Sequence, residues 1–149
     1  MLVATAAVIG LDQLTKQLAL KYLADAPIDI IEGALTLRLN YNAGGAFGIL
    51  QGVPGFFLIA TVVVATAIVV WARKIEQPSW GICLGMVLGG GLGNLFDRLF
   101  RSTGGRVVDF VDLHVWPIFN VADSFIVIGV AILLILSARA ERAEKRIQA

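Results

Sequence analysis

The stretch GFFLIATVVVATAIVVW, residues 55–71, runs for 17 residues without a charged side chain. A transmembrane helix needs about 20 predominantly apolar residues, with about 17 at the short end. The rest of the chain shares this character, because 58% of its 149 residues are hydrophobic and its mean hydropathy is +0.83. Soluble domains are only about half apolar. The stretch therefore predicts a membrane-spanning helix in a membrane protein.

Three further apolar runs surround this stretch, at about residues 1–23, 80–100 and 119–137. Each run is long enough to cross a bilayer as a helix. We therefore expect an all-α membrane protein with four transmembrane helices, folded as a single integral membrane domain over residues 1–149.

The segments between spans, about residues 24–54 and 101–118, are expected to lie outside the membrane on one common side. Within the first, apolar and polar residues alternate over residues 35–41, at the period of a half-buried strand. Residues 106–111 form a second extended stretch that can pair with it. These patterns predict a small sheet beside the membrane.

An even number of spans places both termini on the same side. That side carries six Lys and Arg residues against five on the other, which barely favours cytoplasmic termini by the positive-inside rule. The net charge of +1 gives no basic surface for nucleic acid. The lone Cys83 and the lone His114 cannot make a Cys-rich or zinc site, so we expect no metal and no cofactor.

Ionisable side chains inside spans are costly and usually face a bundle interior or an aqueous cavity, so they are candidates for a functional site. With two neighbouring amides they are Asp12, Lys16, Asn94, Asp97, Arg98, Asn120 and Asp123. Asp12 and Lys16 are four residues apart and share a helix face. They can either neutralise each other as a packing pair or shape a polar pocket, and the sequence leaves both interpretations open.

Two short spacings bring amides and carboxylates to one membrane level. Asn94 with Asp97, and Asn120 with Asp123, are each three residues apart and share a face near the same end of their spans. Asp109 lies in the loop joining these spans, so it can fold back toward Asp123. Two adjacent carboxyl groups suffice to split a peptide bond with water, one as base and one as acid. No Ser and His arrangement competes with them.

Five motifs, in order along the chain, resemble the motif series of the lipoprotein signal peptidases, also called signal peptidase II. They are Asp12-Gln13-Leu14-Thr15-Lys16, Asn42-Ala43-Gly44-Gly45-Ala46-Phe47-Gly48, Gly90-Gly91-Leu92-Gly93-Asn94-Leu95-Phe96-Asp97-Arg98, Val107-Val108-Asp109-Phe110 and Phe119-Asn120-Val121-Ala122-Asp123-Ser124. Each is weak alone, but five in order are specific.

The resemblance implies an aspartic endopeptidase that removes signal peptides from diacylglyceryl-modified bacterial prolipoproteins, just before the lipidated cysteine. Asp109 and Asp123 match the family's catalytic aspartates. The positions that match residues lining or buttressing the site are Asp12, Asn42, Asn94, Asp97, Arg98 and Asn120. The resemblance also implies an inner-membrane location, cytoplasmic termini and an extracytoplasmic sheet that cradles the substrate. The expected partners are lipid-modified prolipoproteins and the bilayer, and we expect a monomer.

Three roles are predicted within this set. The dyad of Asp109 and Asp123 should share one proton, because two adjacent buried carboxylates cannot both ionise cheaply. Asn42 and Arg98 should position groups without doing chemistry, since both are donors. Asp97 should be mainly structural, paired with Arg98 or another nearby cation. The alternative function is an ion-coupled transporter or proton channel in which Asp12, Asp97 and Asp123 relay protons, although the sequence shows neither the inverted repeat nor the discontinuous helices that would favour it.

Overall fold

The computed structural model describes residues 1–44 and 54–148. In this part of the chain there are four helices and three strands, whose bounds are α1 Leu2–Tyr22, β1 Ile28–Ile31, β2 Leu35–Asn42, α2 Pro54–Ala72, α3 Pro78–Phe100, β3 Val107–Asp112 and α4 Val121–Gln148. The helices are therefore the dominant elements, and the strands lie in the two connections on one side.

Among the described residues, three helices are long and apolar enough to cross a membrane: α2, α3 and α4. Their mean hydropathies over Gly55–Ala72, Pro78–Phe100 and Val121–Arg146 are 2.4, 1.3 and 2.5. The remaining helix, α1, has 21 residues, but its charged side chains leave it less apolar than the other three. Three of the four expected spans are thus supported by length and composition.

The central helix is α3, which packs against each of the other three helices. Its glycines permit a very close approach on two sides. A methyl group on Gly89 would lie 2.8 Å from the Thr5 backbone oxygen in α1, and one on Gly90 would lie 2.5 Å from the Ala122 backbone oxygen in α4. Because these backbones nearly touch, polar side chains on α1, α3 and the start of α4 meet within one bundle.

The second helix packs chiefly against α3 and presents many large apolar side chains outward. Val62, Val63 and Val64 are each at least half exposed, although they belong to three successive positions of the helix. A helix that is apolar all round is typical of a membrane span. This surface is what a lipid-facing helix would present.

The three strands form one antiparallel sheet in the order β1-β2-β3. The predicted pairing of the two extended stretches is confirmed, with Asn40 opposite Asp109 and Asn42 opposite Val107. The first strand was not predicted; it joins β2 through a turn in which Gly33 has a φ of 70°. Phe110 packs on the last turn of α1, so the sheet is fixed to the end of the bundle that is remote from Met1.

Candidate active site

The start of α4 fixes one carboxylate of the predicted dyad. Asn120 lies just before the helix rather than inside a span, and its Oδ1 accepts the Asp123 backbone N–H at 3.0 Å. In return, Asp123 Oδ2 accepts the Asn120 backbone N–H at 3.1 Å. This reciprocal pairing satisfies free donors at the helix N-terminus and resembles a capping box. The helix start thereby sets the orientation of the Asp123 carboxylate.

The second carboxylate, Asp109, reaches the same place from β3. Asn42 Nδ2 donates to its Oδ2 at 3.0 Å, and Asn120 Nδ2 donates to its Oδ1 at 2.7 Å. The side chain is buried, with 1% of its surface exposed. Asn120 therefore bridges the two aspartates, since it also pairs with Asp123 through its backbone N–H and its Oδ1.

A third amide completes the surroundings of the dyad. Asn94 Nδ2 donates to Asp123 Oδ1 at 2.8 Å, and Asn94 Oδ1 accepts a bond from Asn120 Nδ2 at 3.0 Å. Within the described part of the chain, no Lys or Arg forms a salt bridge with Asp109 or Asp123. The two carboxyl groups are held in place by neutral amides instead.

Two aspartates on β3 have opposite electrostatic environments. Burial, followed by the neighbouring charge of Asp123, raises the pKa of Asp109 from 3.8 to about 7. The pKa of Asp112 is lowered, first by the His114 backbone N–H and also by Arg38, whose Nε lies 2.6 Å from its Oδ2. Asp109 can thus hold a proton near neutral pH, as a member of a proton-sharing pair must.

A cavity of about 320 Å³ opens over the dyad. Its polar lining comes from the dyad together with Asn42, Asn94 and Arg98, whereas Phe57 contributes to an apolar wall. Arg98 Nη2 donates to the Gly44 backbone oxygen at 3.0 Å, and its guanidinium lies 5.4 Å from the centre of the Phe57 ring. The cavity therefore has a carboxylate floor beside an apolar wall.

Next to the dyad lies a second group of charges, Asp12, Lys16, Asp97 and Arg101, called the inner cluster below. Lys16 Nζ contacts Asp12 Oδ2 at 2.8 Å and Asp97 Oδ2 at 3.0 Å, and all three side chains are fully buried. Arg101 Nε contacts Asp97 Oδ1 at 3.0 Å. Of the two interpretations that the sequence leaves open for Asp12 and Lys16, the neutralised pair fits this geometry.

The predicted pairing of Asp97 with Arg98 or another nearby cation is confirmed, and the cations are Lys16 and Arg101. Neighbours in sequence point to different sides of a helix, and Arg98 turns toward Gly44. Asp97 instead contacts Arg101, one helical turn away, and Lys16 on α1. Its Oδ2 also accepts the Val108 backbone N–H at 3.1 Å, which ties β3 to α3.

Two members of the polar interior were not predicted as site residues from the sequence. Gln13 Nε2 donates to Asp97 Oδ1 at 3.2 Å, and Arg101 Nη2 donates to Gln13 Oε1 at 2.7 Å. The spacing of four between Asp97 and Arg101 would have been a usable signal. Gln13 lies within the first of the five motifs but was given no role, because its contacts with Asp97 and Arg101 join two helices that are distant in sequence.

Other predictions can be placed as well. Cys83 is free and buried. His114 lies outside the helices with a φ of 61°, and a hydrogen bond of 2.9 Å joins its Nε2 to Thr36 Oγ1. The glycine-rich motif is described only up to Gly44, because residues 45–53 lie outside the described part of the chain.

Comparison with known proteins gives a single family. The sequence profile of the signal peptidase (SPase) II family matches residues 4–139. The lipoprotein signal peptidase of Rhodococcus jostii (strain RHA1) is 42% identical over 134 residues, covering 87% of this chain and 68% of its own length. The protein of the same name from Anoxybacillus flavithermus (strain DSM 21510 / WK1) is 41% identical over 145 residues, covering 93% of this chain and 84% of its own length.

Two solved structures have the same fold. One, described as a bacterial membrane enzyme at 2.3 Å resolution, has a TM-score of 0.82 and 32% identity, and the match covers 96% of this chain and 89% of the other. A second, at 1.9 Å resolution, has a TM-score of 0.77 and 32% identity, with 90% and 89% covered. Since the family profile spans nearly the whole chain and the fold agrees, this chain belongs to the signal peptidase II family.

Proposed function

We propose that this peptidase is an intramembrane aspartic endopeptidase that removes signal peptides from diacylglyceryl-modified prolipoproteins, just before the lipidated cysteine. The observation that carries the aspartic mechanism is the pair of carboxyl groups, Asp109 and Asp123, bridged by Asn120 at the floor of a cavity. The substrate class follows from relatives named lipoprotein signal peptidase. The transporter alternative has no support in these comparisons.

In this mechanism the dyad carries one proton between its two carboxyl groups. The ionised member takes a proton from a water molecule, whose oxygen attacks the scissile carbonyl carbon. The protonated member donates its proton to the carbonyl oxygen. When the tetrahedral intermediate collapses, the C–N bond breaks, the carboxyl group that took the proton from water gives it to the leaving amine, and a hydroxyl proton of the intermediate returns to the other carboxylate. Because the two groups titrate as a pair, we assign the shared proton to neither residue.

The surrounding amides suit this exchange of roles. Asn42 and Asn120 each donate a hydrogen bond to Asp109, and Asn94 donates one to Asp123. A neutral donor holds a carboxyl oxygen in place without the strong bias toward ionisation that a cation would impose. Both protonation states of the pair therefore remain accessible during one turnover.

We also propose that α1 crosses the membrane, which makes four spans. Its 21 residues would extend for about 31 Å, close to the hydrocarbon thickness of a bilayer. Its two central charges are fully buried against α3, while Leu11, Leu14 and Leu18 are about half exposed. The outward surface of α1 is thus apolar although its overall composition is not.

The proposed orientation places both termini in the cytoplasm and the active site at the extracytoplasmic face of the bacterial inner membrane, in a monomer. Two observations support the part of it that sets the termini and the site at opposite ends of the bundle. The dyad, the cavity and the sheet lie at the bundle end remote from Met1, and α4 begins at that end and carries the C-terminal residues away from it. A lipidated precursor held in the outer leaflet would then reach the cavity without crossing the membrane.

The test compares three aspartate-to-asparagine variants in detergent. Asp109→Asn and Asp123→Asn keep shape and delete ionisation, so each should lose at least about 100-fold in cleavage of a diacylglyceryl-modified precursor. Asp112→Asn is the matched control, since it lies on the same strand and is also buried, but its carboxylate pairs with Arg38. It should keep nearly full activity.

The folded yield and the melting temperature in detergent are measured for all three variants. Substantial turnover by well-folded Asp109→Asn or Asp123→Asn would overturn the dyad assignment. Equal cleavage of the precursor with and without its diacylglyceryl group would overturn the proposed substrate class while leaving the aspartic mechanism intact.

A further inference from the structure

One buried cation makes a contact that charge balance does not require. Lys16 is fully buried, and its ammonium has three donors and three acceptors: Asp12 Oδ2 at 2.8 Å, Asp97 Oδ2 at 3.0 Å and Asn94 Oδ1 at 2.9 Å. The two carboxylates neutralise the charge. The third acceptor is neutral, and it belongs to the amide that also contacts the dyad.

Two donors fix which way the Asn94 amide faces, because its Oδ1 accepts from Lys16 Nζ at 2.9 Å and from Asn120 Nδ2 at 3.0 Å. An ammonium can only donate, so Asn94 must present its carbonyl oxygen to Lys16. The amide nitrogen then faces the other way, where it donates to Asp123 Oδ1 at 2.8 Å. The reversed amide would place N–H against N–H at Lys16 and oxygen against oxygen at Asp123. Such a doubly mismatched arrangement is costly beside the fully buried ammonium of Lys16.

We propose that Lys16 is a positioning residue of this peptidase, acting through Asn94 to keep the donor side of that amide on Asp123. This inference rests on the proposed aspartic mechanism. Lys16 does not line the cavity over the dyad and forms no salt bridge with either dyad carboxylate. Its effect on catalysis is therefore relayed through the amide and not made by contact with substrate.

This role has a kinetic signature. Without Lys16, only Asn120 Nδ2 still donates to the Asn94 carbonyl oxygen, so the amide is held less firmly and the hydrogen bond that orients Asp123 is lost for part of the time. A small misplacement of a reacting group can lower the rate by up to about 100-fold. Substrate binding should hardly change, so we expect kcat to fall on the order of 10- to 100-fold and KM to stay nearly constant.

The variant must preserve the charge balance of the inner cluster, since Lys16→Met alone would leave two buried carboxylates short of a cation. Asp12→Asn with Lys16→Met removes one charge of each sign and keeps the Asp97 pair with Arg101. The matched control is Glu141→Gln with Lys145→Met. That pair has the same spacing of four and an Nζ–Oε1 distance of 2.6 Å, but it is exposed on the distal part of α4.

A companion variant, Asp12→Asn with Lys16→Gln, restores an N–H donor near Asn94 without restoring charge. If Lys16 acts as a donor, the Gln form should recover part of the kcat that the Met form loses. Equal kcat in both forms would overturn the proposal. The Gln form also keeps the polar contacts of the cluster, so it serves as the test variant if the Met form does not fold.

The decisive measurement is a double-mutant cycle with Asn94→Ala. If Lys16 acts through Asn94, Asp12→Asn with Lys16→Met should lower kcat in the wild-type background. The same double substitution should cause no further loss of kcat in the Asn94→Ala background. A loss that multiplies with that of Asn94→Ala, or wild-type kcat in the folded variant, would overturn the proposal. Asp109→Asn and Asp123→Asn are assayed alongside, because activity in either would instead overturn the proposed dyad.

Discussion

The dyad and the inner cluster each hold two aspartates inside the protein, and all are buried except Asp123, which is half-buried; yet their partners differ in kind. In the inner cluster, Asp12 and Asp97 share the ammonium of Lys16, and Asp97 also contacts Arg101. In the dyad, the hydrogen bonds to the carboxyl groups come from Asn side chains and a backbone N–H. One cluster neutralises its acids with cations, and the other only satisfies their hydrogen bonds.

This difference is what we expect between structural aspartates and the proposed catalytic pair within one small bundle. A carboxylate that is paired with a buried cation stays ionised and ties helices together. A buried carboxyl group that is held by amides next to another acid can keep a proton, as the raised pKa of Asp109 indicates. Asn94 touches both groups, because it accepts from Lys16 and donates to Asp123.

The largest effect on the protein itself should come from breaking the inner cluster. Asp97→Ala leaves Lys16 and Arg101 short of a carboxylate and the Val108 backbone N–H without an acceptor. Removing one partner of a buried ion pair costs about 3–5 kcal/mol. We expect a low folded yield and a reduced melting temperature in detergent. Cleavage of the lipid-modified precursor is measured per amount of folded protein.

The comparison of Asp97→Ala with a dyad variant is the most discriminating test of this prediction. Asp123→Asn should fold normally and be inactive, whereas the folded fraction of Asp97→Ala should keep measurable turnover. If Asp97→Ala accumulated and melted like wild type but had no activity, Asp97 would belong to the catalytic group and the division between the two clusters would fail.

Much of this arrangement could be predicted from sequence because it depends on local spacing. The apolar runs gave the helices, the alternation over residues 35–41 gave β2, and a spacing of four gave the pair of Asp12 and Lys16. The pairing of β2 with β3 followed from two extended stretches in connections on one side of the bundle.

The rest depends on contacts between distant segments, which spacing does not encode. The contact of Asp97 with Lys16 spans two helices, and Gln13 enters the network only because glycines bring α1 against α3. The first strand was missed because it has only four residues, and all four are exposed. The fourth span was predicted to begin at about residue 119, whereas α4 begins at Val121, so Asn120 lies before the helix. Helix boundaries commonly differ by one or two residues in this way.

The next largest effect concerns the pH dependence of stability. The pKa of Asp109 is about 7 in the folded protein against an ordinary value of 3.8, so the folded state binds its proton more tightly. Stability should therefore fall as pH rises between these two values. Asp109→Asn should relieve this cost, at most about 4 kcal/mol, and raise the melting temperature at pH 8 relative to wild type but not at pH 4.

Asp112→Asn is the control with the opposite sign. The pKa of Asp112 is lowered in the folded state, so its ionised form stabilises the protein above the ordinary value and loses that contribution as pH falls. The variant should melt below wild type at pH 8 and approach it under acid conditions. Parallel shifts in the two variants would contradict the view that β3 carries aspartates in opposite environments.

The smallest effect should come from one of the dyad's amides. Asn42→Ala removes the donor that contacts Asp109 Oδ2 at 3.0 Å, while Asn120 still holds the other oxygen. A hydrogen bond to a charged group is worth about 1.5–3 kcal/mol, and part of that loss should be recovered by water in the cavity. We expect kcat to fall by roughly 10-fold, about 1.4 kcal/mol in the barrier.

The matched control is Asn40→Ala, which lies two residues earlier on β2 and directly opposite Asp109, although the described structure shows no side-chain hydrogen bond from Asn40 to that carboxylate. It should keep nearly wild-type kcat, so that the pair of variants separates an amide that touches the dyad from one that merely lies beside it. A loss in Asn42→Ala as complete as that in Asp123→Asn would show that Asn42 takes part in the chemistry and does not only position Asp109.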